Sequence, residues 1–245
     1  MAGTVIGGML SETLRQATHP LAQFDGLVLD TADPERAAAF WRGALGGRAD
    51  GLTVRPGPGR PAREILRLRE TATPPPDDAR VHVDLRLAGA APDHLTAAGA
   101  RMIRPPGEDP WYVLEDPDGT QFCAFPAVDD RPAGMFELVV KCSEPHRLAR
   151  WWAGVLGGRA VDEVEAAAVV GAPEFPWDFM VFDPVPGIER YRSRTRWHLE
   201  ARDRDMTTLL AAGAVMRAEP SRSEPWWTLA DPGGNEFCVV VPGTA

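Results

Sequence analysis

Cysteine is scarce in this chain, with three in 245 residues, too few and too unpaired for a disulfide framework. Reduced, buried thiols are the expectation. Positive charge is also short, at 26 Lys and Arg against 35 Asp and Glu for a formal net charge of -9. Nucleic-acid binders carry clustered Lys and Arg, so no nucleic-acid partner is expected. No apolar run approaches the roughly 20 residues needed to span a bilayer, and the N-terminus lacks the basic start and apolar core of a signal peptide. A cytoplasmic protein without a membrane partner follows as the expectation. Tyrosine is nearly missing as well, two residues against eight tryptophans.

What the chain does have is a long repeat. Asp33-Pro34, Phe40-Trp41 and Gly43-Ala44-Leu45-Gly46-Gly47-Arg48-Ala49 return as Glu144-Pro145, Trp151-Trp152 and Gly154-Val155-Leu156-Gly157-Gly158-Arg159-Ala160. Val81-His82-Val83-Asp84 is answered by Trp197-His198-Leu199-Glu200. The closing segment Asp109-Pro110-Trp111-Tyr112 through Asp116-Pro117-Asp118-Gly119-Thr120-Gln121-Phe122-Cys123 returns as Glu224-Pro225-Trp226-Trp227 through Asp231-Pro232-Gly233-Gly234-Asn235-Glu236-Phe237-Cys238. Two copies indicate paired domains, since solenoids need at least about three shorter repeats. The divisions read as an N-terminal extension or short docking helix over 1–22, a first domain over 23–126, a turn-rich linker over 127–134 and a second domain over 135–245.

Each copy passes through the same periods. A short apolar run, Phe24 to Asp30 or Phe136 to Lys141, suits a strand. A capped helix follows, with Asp33 and Pro34 at its start and Gly46-Gly47 at its end, and its counterpart begins at Pro145. Arg63 to Arg69 alternates as a half-exposed strand, whereas Phe179 to Phe182 reads as a more buried one. A second cycle starts at Val81 and again at Arg196, with short helices and a closing hairpin on Asp116-Pro117-Asp118-Gly119 or Asp231-Pro232-Gly233-Gly234. The predicted class is α+β, four β-α-β-β-β modules.

The strand followed by Asp-Pro-Glu-Arg-Ala-Ala-Ala-Phe-Trp and Ala-Leu-Gly-Gly, the His-Val-Asp-Leu strand and the closing Asp-Pro-Asp-Gly-Thr-Gln-Phe-Cys resemble the vicinal oxygen chelate superfamily. That superfamily contains glyoxalase I, bleomycin-resistance proteins and extradiol dioxygenases, and the chain most resembles its glyoxalase-like domains. The resemblance covers nearly all of residues 24–242. It implies two tandem domains with curved mixed sheets and a cup-like cleft for each repeat, while whether the four modules pair within a repeat or exchange across the two stays open.

Function does not follow from fold, because the superfamily holds metal-dependent enzymes and proteins that only sequester drugs. The family's metal positions fall on Gly26, His82 and Cys123 in the first repeat and on Glu137, His198 and Cys238 in the second. One imidazole in the first repeat is short of the roughly three protein ligands a catalytic metal takes. No cofactor is therefore expected; a divalent metal, if present, would sit on Glu137, His198 and Cys238. The pairs His82/Asp84 and His198/Glu200 put histidine and acid on one strand face, as an acid/base couple or as core residues whose acids pair with Arg80, Arg86, Arg196 or Arg202. Trp41, Trp151 and Trp152 lie at helical core spacing. Trp111, Trp177, Trp226 and Trp227 could instead wall a pocket.

The reading that results is a metal-independent protein binding a small hydrophobic or aromatic metabolite in a cup-shaped cleft. The second repeat is the expected working site. His198, Glu200 and Glu137 are its catalytic candidates, and Trp177, Trp226, Trp227, His82, Asp84 and Trp111 are the candidates for substrate contact. Whether the chain is an enzyme stays open: the alternatives are a lyase, isomerase, cyclase or hydrolase using a His/carboxylate pair, or a metal-dependent lyase or dioxygenase sited in the second domain. A monomer with its repeats packed together is expected, a homodimer being the other possibility.

Overall fold

The computed structural model describes residues 19–128, 130–203 and 205–243; most of the extension or docking helix expected over 1–22 lies outside them. The first module is β1 (Ala22–Thr31), α1 (Pro34–Ala44), β2 (Arg48–Asp50), β3 (Thr53–Arg55) and β4 (Leu66–Glu70). The second is β5 (Val81–Arg86), α2 (Asp93–Ala97), β6 (Arg101–Arg104), β7 (Tyr112–Glu115) and β8 (Gln121–Phe125). The third is β9 (Gly134–Cys142), α3 (Pro145–Leu156), β10 (Arg159–Asp162), β11 (Ala167–Val170) and β12 (Phe179–Pro184). The fourth is β13 (Thr195–Ala201), α4 (Thr207–Ala211), β14 (Val215–Ala218), β15 (Trp227–Ala230) and β16 (Glu236–Val240). The fold is α+β, as its periodicity predicts.

The modules pair across the repeats. One eight-stranded sheet runs β14-β15-β16-β13-β1-β4-β3-β2 and joins modules one and four; the other runs β10-β11-β12-β9-β5-β8-β7-β6 and joins modules two and three. At each centre two module-opening strands lie antiparallel, β1 against β13 and β5 against β9. The expectation that each repeat closes its own cleft is therefore corrected: each sheet, and each cleft, draws one module from each repeat.

What holds a repeat together is its helix. In α1, the Asp33 side chain accepts from the Arg36 N–H at 3.1 Å, and Ala37, Phe40 and Trp41 are buried. Trp41 meets Phe122 of β8 at 5.3 Å between ring centroids and donates its indole N–H to Asp116 at 2.9 Å. Thus α1 packs on the strands of its own module, and Trp41 reaches from it to the hairpin of the other sheet. In α3, Trp152 does the same, touching Trp197 at 5.0 Å and Phe237 at 5.2 Å and donating to Asp231 at 2.9 Å. Both aspartates also fold the turns that carry them. Asp116 accepts from the N–H groups of Asp118 and Thr120, and Asp231 from those of Gly233 and Asn235, all at 2.9 Å. A buried carboxylate bonded on all sides is a stable way to tie a helix to a hairpin tip.

Candidate functional site

Strand alternation decides what faces each cleft. On β5, Val81, Val83 and Leu85 enter the core, leaving His82, Asp84 and Arg86 on the opposite face. The register places Asp84 beside Glu137 of β9 on one side and Cys123 of β8 on the other. On β12, Phe179, Val181 and Asp183 share that face. Together they line a cavity of about 430 Å³. Its walls are aromatic: Trp111 stacks on Phe125 at 5.0 Å, and Phe125 meets Phe136 edge to face at 5.2 Å.

The floor is polar and nearly dry. His82 and Asp84 are 8% and 4% exposed. The His82 Nδ1 lies 3.1 Å from the Ala79 carbonyl, so it carries the proton and donates, and Nε2 presents its lone pair 3.6 Å from Asp84 Oδ1. Burial, with Lys141 nearby, holds the imidazole's pKa down at about 3, so it is neutral. Burial lifts the Asp84 carboxyl, and burial together with the neighbouring Asp84 lifts Glu137 well above the usual carboxylate range. The Cys123 thiol is likewise pushed up by burial and by Asp84. The pair Asp84–Glu137 accordingly holds a proton to higher pH than isolated carboxyls do.

The other sheet presents the same face with different occupants. Asp30, 4% exposed, is bridged by Arg69 at 2.6 Å and Arg196 at 2.9 Å, and Asp25 by Arg67 at 2.7 Å and Arg63 at 3.1 Å. Arg69 also reaches Glu224. The arginine stems and heads fill this face.

The candidate residues are divided accordingly. His82, Asp84, Trp111 and Glu137 come together in the open cleft. His198, Glu200, Trp226 and Cys238 lie on the arginine-filled sheet. There His198 stands 3.4 Å from Asp25 with the edge of Trp226 at 5.6 Å, and Glu200 accepts from Gln23 at 2.6 Å. Trp177 is buried against Phe24 and Phe175. Trp227 packs on the core, its register partner Val239 being a core residue. The combination Glu137, His198 and Cys238 is not assembled, because β9 and β13 belong to different sheets. Sequence reasoning passed over Phe125, Phe136, Phe179 and Asp183; their alternation with core residues along β8, β9 and β12 was the available signal. Cys123, read as a core thiol, lines the cleft.

A model of the glyoxalase-like domain matches residues 26–125 and again 137–240. The chain belongs to the glyoxalase-like domain family. No curated protein matches it by sequence. Among solved structures, this glyoxalase-like chain is similar to glyoxalase I from Zea mays. A V278E mutant of that protein is 15% identical with a TM-score of 0.64, over 90% of this chain and 92% of the other. It is also similar to a dioxygenase candidate from Bacillus subtilis, 13% identical with a TM-score of 0.56, covering 90% and 85%. At these identities the likeness is one of fold, and it covers all four modules.

Glyoxalase-like relatives often use a divalent metal, and the open cleft passes a test of fit. One ligand atom each from His82, Asp84 and Cys123 lie within 4.8 Å of one another. Asp84 Oδ1 is buried with no hydrogen-bond partner, and the bond from His82 Nδ1 to Ala79 aims Nε2 at the same space, as the outer bond of a metal-bound histidine does. Imidazole, carboxylate and thiolate together suit a borderline ion such as zinc.

Proposed function

We propose that the chain binds a small, flat, mostly apolar organic molecule in the cleft between modules two and three, its polar end directed at Asp84 and Glu137. One observation carries this reading: a cavity of about 430 Å³ with aromatic walls over a carboxyl floor. Ligand pockets are commonly of this size and make-up, apolar with a few convergent polar groups. Should the bound molecule react, proton transfer falls to Asp84 and Glu137, which face it, rather than to His198. A neutral probe tests the binding. 2-Naphthylmethanol, titrated calorimetrically, is expected to bind one per chain. Trp111→Ala should weaken it on the order of tenfold, the loss of one large aromatic contact. An unchanged affinity would count against the cleft as the binding site.

A second reading is favoured by the unpartnered Asp84 Oδ1. Here His82, Asp84 and Cys123 would hold a divalent metal, with Glu137 beside them, and such an ion would supply Lewis-acid chemistry. Cobalt(II) added to chelator-treated protein should give a thiolate-to-metal absorption band, absent in Cys123→Ser. A spectrum identical to aqueous cobalt would sink this reading, whatever the activity.

A further inference from the structure

We propose that the molecule taken by this cleft carries a positively charged nitrogen, a protonated amine on a flat apolar body, seated between Asp84 and Glu137. The inference rests on the binding reading above and names the ligand's class.

The argument is a census of charge on the two sheets. Where acids face the arginine-filled cleft, the protein supplies their partners: Asp30 has Arg69 and Arg196, and Asp25 has Arg63 and Arg67. In the open cleft the cations are already committed. Arg131 is paired with Asp178 at 3.0 Å. Arg86 lies 4.2 Å over the Phe136 ring and donates to the Pro132 carbonyl at 3.2 Å. Lys141, whose register partner is Asp183, donates to the Asp78 carbonyl at 3.2 Å. Among the described residues, no Lys or Arg is within ion-pair distance of Asp84 or Glu137; the base beside them, His82, has its Nδ1 turned to the Ala79 carbonyl.

Two buried carboxyls side by side without a cation are costly, and one further positive charge relieves both. An ammonium suits them because it offers up to three N–H donors to oxygens on adjacent strands. The aromatic walls, Trp111 and Phe125 among them, add flat apolar contact for its body. An anion would face both acids, and a neutral group would leave them uncompensated. A metal ion would also neutralise them, but through Cys123 and His82; an amine needs neither.

A matched series separates charge from shape: 2-naphthylmethylamine, 2-naphthylmethanol and 2-naphthoic acid, titrated calorimetrically into chelator-treated protein at about pH 7.5, where the amine is charged. The amine is expected to bind on the order of tenfold tighter than the alcohol, with the acid weakest. The amine-to-alcohol ratio should fall to about one in the double variant Asp84→Asn/Glu137→Gln, its fold checked by circular dichroism, and stay unchanged in Cys123→Ser. Equal binding of amine and alcohol, a preference for the acid, or a ratio that survives the double variant overturns the proposal and leaves the cleft reading intact. Failure of all three probes to bind removes both.

Discussion

Asp231→Ala should lower the free energy of unfolding by about 3 to 5 kcal/mol, read from urea denaturation near neutral pH. Asp231 is 2% exposed. Its carboxylate accepts from the Trp152 indole and from the backbone N–H groups of Gly233 and Asn235, with the Asn235 side chain as a further donor. Removing it strands several buried donors, each worth roughly 1 to 3 kcal/mol when orphaned, and water entering the small gap returns part of the loss. Trp152→Phe is the matched comparison. It keeps most of the ring packing against Trp197 and Phe237 and deletes one donor, so it should cost less, about 1 to 2 kcal/mol. If the order were reversed, Asp231 would be a turn residue only, and ring packing rather than the helix-to-hairpin bond would hold the repeat. Asp116→Ala, at the twin position with Trp41, should behave alike.

That bond explains why helix tryptophan and turn aspartate recur in both copies, and it was legible as pattern before it was legible as contact. The duplicated order of strand, capped helix and closing hairpin specified the modules. It did not specify their partners. Strand alternation tells which side chains share a face, but β5 shows the same face whether its neighbour is β1 or β9. Hence Glu137 and Asp84, noted separately as candidates, were assigned to different sites, although the β5–β9 ladder makes them neighbours.

The choice between clefts was more readable than the pairing. His82-X-Asp84 and His198-X-Glu200 are the same motif with opposite fates. The difference lies on the strands across from them: β4 places Arg67 and Arg69 on the cleft face, where β12 places Phe179 and Val181. Charged alternation meant an arginine-filled face and apolar alternation an open one. Tryptophan count was a poorer guide, since Trp41, Trp152 and Trp177 serve the core and smaller phenylalanines share the cleft walls with Trp111.

The Asp84–Glu137 pair predicts the largest pH effect. Burial, with Asp183 nearby, raises the Asp84 pKa to about 7 from an ordinary value of 3.8. The folded state therefore holds a proton that the unfolded chain gives up near its ordinary carboxylate pKa of about 4. Stability from this group is fully present below about pH 4 and lost as pH rises through about 7, because there the unfolded state binds fewer protons than the native one. The amide that replaces the carboxyl in Asp84→Asn cannot titrate. Relative to the parent protein, that variant should gain stability as pH rises from about 4 through about 7, in the presence of chelator. His82 titrates the opposite way, its pKa lowered on folding, and is common to both proteins, whereas Glu137, which the neighbouring Asp84 helps to raise, is relieved in the variant and adds to the gain at higher pH. Paired denaturation curves at about pH 4, 6 and 8 measure this directly. A difference independent of pH would mean that the carboxyl is solvated or already neutralised, and an unpaired acidic floor would no longer describe the cleft.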